Sequence, residues 1–152
     1  MSRQDATRGA PTAIGSALYG LATRAVRRLP RDLSLTSAAT LATLDKTGPR
    51  RITDLAAIEG VTQPAMTVLV RVMEESGLVE RAGDPADRRV TLVCLTEAGA
   101  SYVRERRQAG VDAFARLIAG LTDDEVEALA AALPALRHLA ELEDQAREEA
   151  KR

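Results

Sequence analysis

The stretch "IEGVTQPAM", Ile58 to Met66, constrains the fold of this chain more than any other. Gly60 is a natural residue to follow a helix, because glycine enters the left-handed conformation without a Cβ penalty. Thr62 is placed to cap a new helix, and Pro64 falls in its first turn, where a missing N–H does no harm. One helix stops and another starts within three residues. Thr53 reads as the cap of the first, which runs through about Ile58. Met66, Leu69, Val70 and Met73 recur at helical spacing along the second, and Gly77 ends it. Two short helices joined by so tight a turn form the helix-turn-helix pattern.

The flanks extend this unit in both directions. "LVERA" reads as a strand, Asp84 to Arg88 as a turn, and "RVTLVCL" as the return strand, with Val90, Leu92 and Cys94 on one side and Thr91, Val93 and Leu95 on the other. Thr96 caps a long helix that reaches about Ala119, before Gly120. Upstream, Ile14, Leu18, Leu21, Ala22, Ala25 and Leu29 predict a helix that Pro30 ends. Residues 1–12 are polar, carry Gly9 and Pro11, and are expected to fray. Ser34 or Thr36 caps a second helix bearing Leu35, Ala38, Leu41, Ala42 and Leu44, broken at Gly48-Pro49. Downstream, Thr122 and Glu125 form a capping box for a last helix with Leu129, Leu133, Leu136, Leu139 and Leu142. Pro134 is expected to kink or split it.

The fold class is therefore mainly α with a small β-hairpin wing (α+β). Residues 33–99 make a winged helix-turn-helix lobe, and residues 13–32 and 100–152 make flanking helices. The apolar stripes on those outer helices are too extensive for a monomer, so they are expected to pair with a second chain.

Composition narrows the function. At 152 residues the chain fits one domain or two small lobes, and an aromatic share of 2% leaves Leu, Val, Ile and Ala to fill the core. No apolar run approaches the roughly 18 residues of a membrane span, and the N-terminus lacks the apolar core of a signal peptide, so a cytoplasmic protein is expected. The chain has one Cys, Cys94, and one His, His138, on distant elements. That supports no metal site, no Cys/His nucleophile pair and no cofactor, and an enzyme is not expected. Cys94 reads as a buried small residue in the strand, with a thiolate sensor as the alternative. The acids Asp123 to Glu125 suit the positive end of a helix dipole.

Net charge is −1, spread as +4 over residues 1–32, −2 over 33–99 and −3 over 100–152. With no general basic field, phosphate binding would have to come from placed arginines.

In this order and spacing the pieces resemble the MarR family of transcriptional regulators. The most specific element is the wing signature, an Asp, any residue, an Arg, five residues, then Leu-Thr, matched by Asp87, Arg89, Leu95 and Thr96, with Glu97 and Gly99 following. "LAAIEGVTQPAMTVLV" and "ESGLVER" resemble the family's recognition-helix region and its exit into the hairpin. The resemblance implies a homodimer joined through its N- and C-terminal helices, double-stranded DNA with a pseudo-palindromic operator as partner, and a repressor relieved by a small effector, often an anionic aromatic. The alternative is a winged-helix protein–protein interaction module that does not bind DNA.

The second helix of such a motif presents its N-terminal part to base edges in the major groove. That nominates Thr62, Gln63, Pro64, Ala65, Thr67, Val68 and Arg71. Gln63 suits adenine, Thr67 a base edge or thymine methyl, and Arg71 guanine or phosphate. Val68 departs from the resemblance, since many members carry a polar or basic residue there. Arg88 and Arg89 suit a narrow minor groove, and the resemblance favours Arg89. Asp87 is expected to hold the guanidinium of Arg89 as a bidentate partner; the alternative is a solvated ion pair at a hairpin tip. Ser37, Arg50, Arg51 and Thr53 are candidate DNA-backbone contacts. Tyr19, Arg24, Leu44 and Tyr102 are candidate ligand-pocket residues, with core or interface packing as the alternative for the tyrosines.

Overall fold

The structure is a computed structural model that describes residues 3–28, 32–85, 87 and 89–149. The chain divides into two units, residues 1–33 and residues 34–152.

Among its described residues the first unit holds one helix, α1 (Arg3–Arg28). It begins well before Ala13, so the stretch expected to fray is helical from Arg3, with Gly9 and Pro11 inside it. Apolar periodicity marks a buried face, and a polar helical segment leaves no such mark. Leu29 and Pro30, expected at its end, lie outside the described residues.

The second unit holds the expected lobe. Helix α2 (Leu35–Thr47) is capped by Ser34, whose Oγ accepts the Ser37 N–H at 3.0 Å, and Thr36 sits inside it. Gly48 follows at φ 76 and returns its N–H to the Leu44 carbonyl. Of the apolar residues on α2, Leu41 and Leu44 are buried while Leu35 is 58% exposed.

Helix α3 (Ile52–Glu59) starts two residues earlier than a cap at Thr53 would place it. Its N-cap is Arg51, with no side-chain capping bond. The reason lies next door. Arg50 N–H donates to the Val93 carbonyl at 3.1 Å, and Val93 N–H donates back to Arg50 at 2.8 Å. This bridge holds the chain extended up to Arg51, and the helix begins at once. Gly60, at φ 66 and ψ 31, closes α3 in the left-handed conformation. Helix α4 (Gln63–Glu75) follows, with Thr62 as its cap.

Strands β1 (Val79–Gly83) and β2 (Thr91–Leu95) form an antiparallel hairpin with Val79 opposite Leu95, Glu80 opposite Cys94 and Gly83 opposite Thr91. The core side of β2 is the one carrying Val93, which is fully buried. Cys94 is half-buried on the other side. Helix α5 (Glu97–Ile118) is capped by Thr96, whose Oγ1 accepts the Gly99 N–H. Helix α6 (Asp123–Glu149) opens with the expected box: Thr122 N–H donates to Glu125 Oε2 at 2.9 Å, and Glu125 N–H to Thr122 Oγ1 at 3.4 Å. It runs through Pro134 as one element. Pro134 is exposed, where water can meet the carbonyl that loses its partner.

Leu41, Leu44, Leu55, Met66, Val70, Met73, Val79 and Val93 meet in one core beneath α2, α3, α4 and the hairpin. Each such burial contributes about 1.5–3 kcal/mol. Thr40 lies among them, and its hydroxyl is satisfied by the Thr36 carbonyl at 2.8 Å. By contrast, Phe114, Leu117, Leu129, Leu133, Leu136, Leu139 and Leu142 on α5 and α6 remain exposed.

Candidate nucleic-acid interface

Helix α4 has two faces. Met66, Val70 and Met73 anchor it in the lobe core, and Leu69 is half-buried beside them. The anchoring turns Thr62, Gln63, Pro64, Ala65, Thr67, Val68 and Arg71 outward, and all seven are exposed. They share one side of a helix held from behind, as a reading surface requires.

The ends of α4 differ in charge. Its first turn carries no acidic residue, and Thr62 Oγ1 accepts the Ala65 N–H at 3.4 Å. The positive end of the helix dipole is thus left uncompensated, which favours phosphate. Both acids of the helix, Glu74 and Glu75, stand at its far end. Glu75 pairs with Arg71 at 3.4 Å and Glu74 with Arg81 at 3.1 Å. The Arg71 pair is exposed and worth about 0–1 kcal/mol, so the guanidinium can exchange it for a nucleic-acid contact. The Thr67 hydroxyl donates to the Gln63 carbonyl at 2.9 Å and keeps its lone pairs for a donor outside. Val68, 56% exposed, offers an apolar patch suited to a thymine methyl.

Beside α4 the hairpin projects as a wing. At its tip the structure corrects one expectation. Asp87 Oδ1 accepts the backbone N–H of Arg89 at 3.0 Å, not its guanidinium. A carboxylate on a short side chain reaches the N–H two residues on more readily than the end of a long arginine. Arg89 is exposed. Arg88 lies outside the described residues. The Arg81–Glu74 ion pair joins the wing to α4, a contact invisible in sequence because its partners are set by the fold.

The candidate backbone contacts separate. Ser37 is 3% exposed, and its hydroxyl is paired with Ser34 Oγ at 2.8 Å, so it serves the start of α2 and does not present itself to phosphate. Arg50 is half-buried, and its Nε donates to Thr47 Oγ1 at 3.1 Å across the end of α2. Arg51 and Thr53 are exposed at the start of α3, with the Thr53 hydroxyl 3.4 Å from Asp54.

The candidate pocket residues lie in different settings. On α1, Tyr19 is 76% exposed and Arg24 is exposed. In the second unit Leu44 is 2% exposed, a core side chain. Tyr102 is half-buried, and its hydroxyl accepts from Arg106 Nη1 at 3.1 Å.

Burial pushes the Cys94 thiol above its usual pKa, and the Glu80 carboxylate opposite adds to the shift. His138 is exposed on α6. Among the described residues no cluster of His, Cys, Asp or Glu is arranged to hold a metal ion, and no helix is long and apolar enough to cross a membrane.

Comparison with known proteins bears on this geometry. Residues 33–91, from the start of α2 through the helix-turn-helix to the first residue of β2, match the family model described as MarR family. An uncharacterised HTH-type transcriptional regulator of Mycobacterium bovis is 34% identical over 117 residues, covering 71% of this chain and 82% of that protein. The HTH-type transcriptional repressor IacR of Pseudomonas putida is 29% identical over 123 residues, covering 80% of this chain and 74% of the repressor. Among solved structures, a transcriptional regulator from Thermotoga maritima superposes with a TM-score of 0.76 at 21% identity, covering 88% of this chain and 98% of that one.

Proposed function

Because this chain belongs to the MarR family, and is a transcriptional regulator with a DNA-binding helix-turn-helix and not an enzyme, we propose that it binds a pseudo-palindromic operator as a homodimer and represses transcription until a small ligand releases it. The outward face of α4 carries this reading: seven exposed residues, Thr62 through Arg71, are held in place by three buried ones, Met66, Val70 and Met73. Gln63, Thr67 and Arg71 supply hydrogen-bonding groups for base edges and phosphate, and Val68 supplies apolar contact. Arg89 enters the adjacent minor groove, with Arg88 beside it, and Arg51 and Thr53 meet the backbone.

In this proposal residues 33–99 are the DNA-binding domain, and residues 13–32 and 100–152 join two copies. The exposed leucines of α5 and α6 support the second part, since so many apolar side chains along two helices call for a partner surface. A homodimer places two recognition helices about 34–36 Å apart, one turn of DNA. Repression follows the P. putida relative, whose name makes it a repressor. A small anionic aromatic ligand would act by favouring the dimer geometry in which the two recognition helices no longer match successive grooves.

Selection of bound sequences from a random duplex pool tests the reading. The expected result is an inverted repeat with half-sites one helical turn apart. Enrichment of a lone half-site would remove the dimer, and no enrichment would remove sequence-specific binding. A thermal-shift screen of small aromatic acids, followed by release from the selected DNA, tests the ligand.

A further inference from the structure

We propose that Asp87 is a positioning residue that holds the wing tip through the backbone, by a hydrogen bond that requires its oxygen and not its charge. The inference rests on the reading above, in which Arg89 meets DNA.

Three nested bonds close the tip. Asp87 Oδ1 accepts the Arg89 N–H at 3.0 Å. The Asp87 carbonyl accepts the Val90 N–H, and the Val90 carbonyl accepts the Asp84 N–H, both at 2.9 Å. A side-chain oxygen bonded to the N–H two residues on is an Asx turn, a device that Asp and Asn share. It fixes the backbone at residue 89 and so the direction in which the arginine leaves the finger. Among the described residues the Arg89 guanidinium is engaged in no ion pair. Asp87 therefore orders Arg89 without neutralising it, and the full cationic charge remains for the groove.

This explains why an acid can stand beside a phosphate backbone that repels it. What the turn needs is an sp² oxygen one carbon beyond Cβ. Asparagine offers the same oxygen at the same reach and removes the repulsion. Glutamate keeps the charge and moves the oxygen one methylene too far. Alanine keeps neither. A guanidinium clamp makes the opposite demands: it tolerates Glu and suffers from Asn.

The experiment compares Asp87→Asn, Asp87→Glu, Asp87→Ala and Arg89→Ala in the full chain. Affinity for selected operator DNA is measured together with the exchange rate of the Arg89 amide in the free protein. The Asn variant is expected to bind as tightly as the parent or tighter and to keep the amide protected. The Glu and Ala variants are expected to bind roughly 3–10-fold more weakly, the range of one ordinary hydrogen bond, and to exchange that amide faster. If Asp87→Asn loses as much affinity as Asp87→Ala while Arg89→Ala also weakens binding, charge is what matters and the inference is overturned. If Arg89→Ala binds like the parent, the wing reading fails instead, and the amide then decides for Asp87: equal exchange in all three Asp87 variants overturns its role, and protection kept only by Asn upholds it.

Discussion

Gly99 is the residue on which the joint between wing and long helix depends. A Cβ there would stand 2.0 Å from the Leu78 carbonyl oxygen and 2.8 Å from Leu95 Cδ1. Thr96 ties the same joint: its hydroxyl donates to the Gly77 carbonyl at 2.7 Å and accepts the Gly99 N–H at 3.0 Å. Gly99→Ala is expected to cost about 1–3 kcal/mol by overpacking against backbone that cannot move aside. Gly110→Ala in the same helix meets nothing within 4 Å and should gain about 0.5–1 kcal/mol. Urea unfolding of the two variants checks this, and equal effects would mean the joint is not tight. Cys94 gives a second residue-scale prediction. Its pKa is raised by burial and then by Glu80, so the folded state holds the thiol proton more firmly than the unfolded chain does. The sign follows: this contribution to stability is present below the unfolded thiol's pKa and lost as pH rises through the folded one. Alkylation at pH 8 should be slower in the folded protein than in urea, and faster in Glu80→Gln than in the parent. A parent thiol that reacts as fast folded as unfolded would contradict the shift.

At the scale of the element, the recognition helix depends on its cap. Thr62→Ala removes the acceptor for the Ala65 N–H and should cost about 1 kcal/mol of stability, read from thermal unfolding. Thr62→Ser should cost much less, and equal losses would mean the methyl group, not the hydroxyl, was important. That cap was legible in the sequence because capping is local: Thr62, Ser34, Thr96 and Thr122 each act on an N–H three residues away. The glycine stops at Gly48, Gly60 and Gly77 were legible for the same reason, and all three take positive φ. What stayed hidden was set by distant chain. Arg51 displaces Thr53 as the start of α3 because Val93 bridges Arg50. Ser37 becomes buried because α2 packs on that side. Pro134 does not divide α6, since it faces water. The exposed face of α4 was readable from periodicity, but the bond made by Asp87 was not. Sequence shows which groups can pair, and the turn decides which do.

For the whole molecule, the unpartnered apolar surface of α5 and α6 matters most. Leu129, Leu133, Leu136, Leu139 and Leu142 stand exposed along α6, a surface a lone soluble chain seldom keeps. The exposed Lys46–Asp144 pair, 2.6 Å between α2 and α6, contributes at most about 1 kcal/mol and cannot replace that burial. Leu129→Glu combined with Leu136→Glu should convert the proposed dimer to a monomer in sedimentation while leaving the lobe folded, and should weaken operator binding by losing the second half-site. A parent protein that sediments as a monomer at micromolar concentration would remove the dimer from the proposal. The net charge of −1 makes a sharper demand. Without a basic field, DNA binding has to come from a few placed cations and a helix N-terminus, and each displaces counterions from the duplex. The most direct measurement is the affinity for selected operator DNA across a series of salt concentrations. The expected result is a linear fall of log affinity against log salt with a slope steeper than about −3, shallower in Arg89→Ala by about one unit for each arginine lost per dimer. Binding that ignores salt, or no binding even at low salt, would contradict a winged helix-turn-helix that grips DNA through placed arginines.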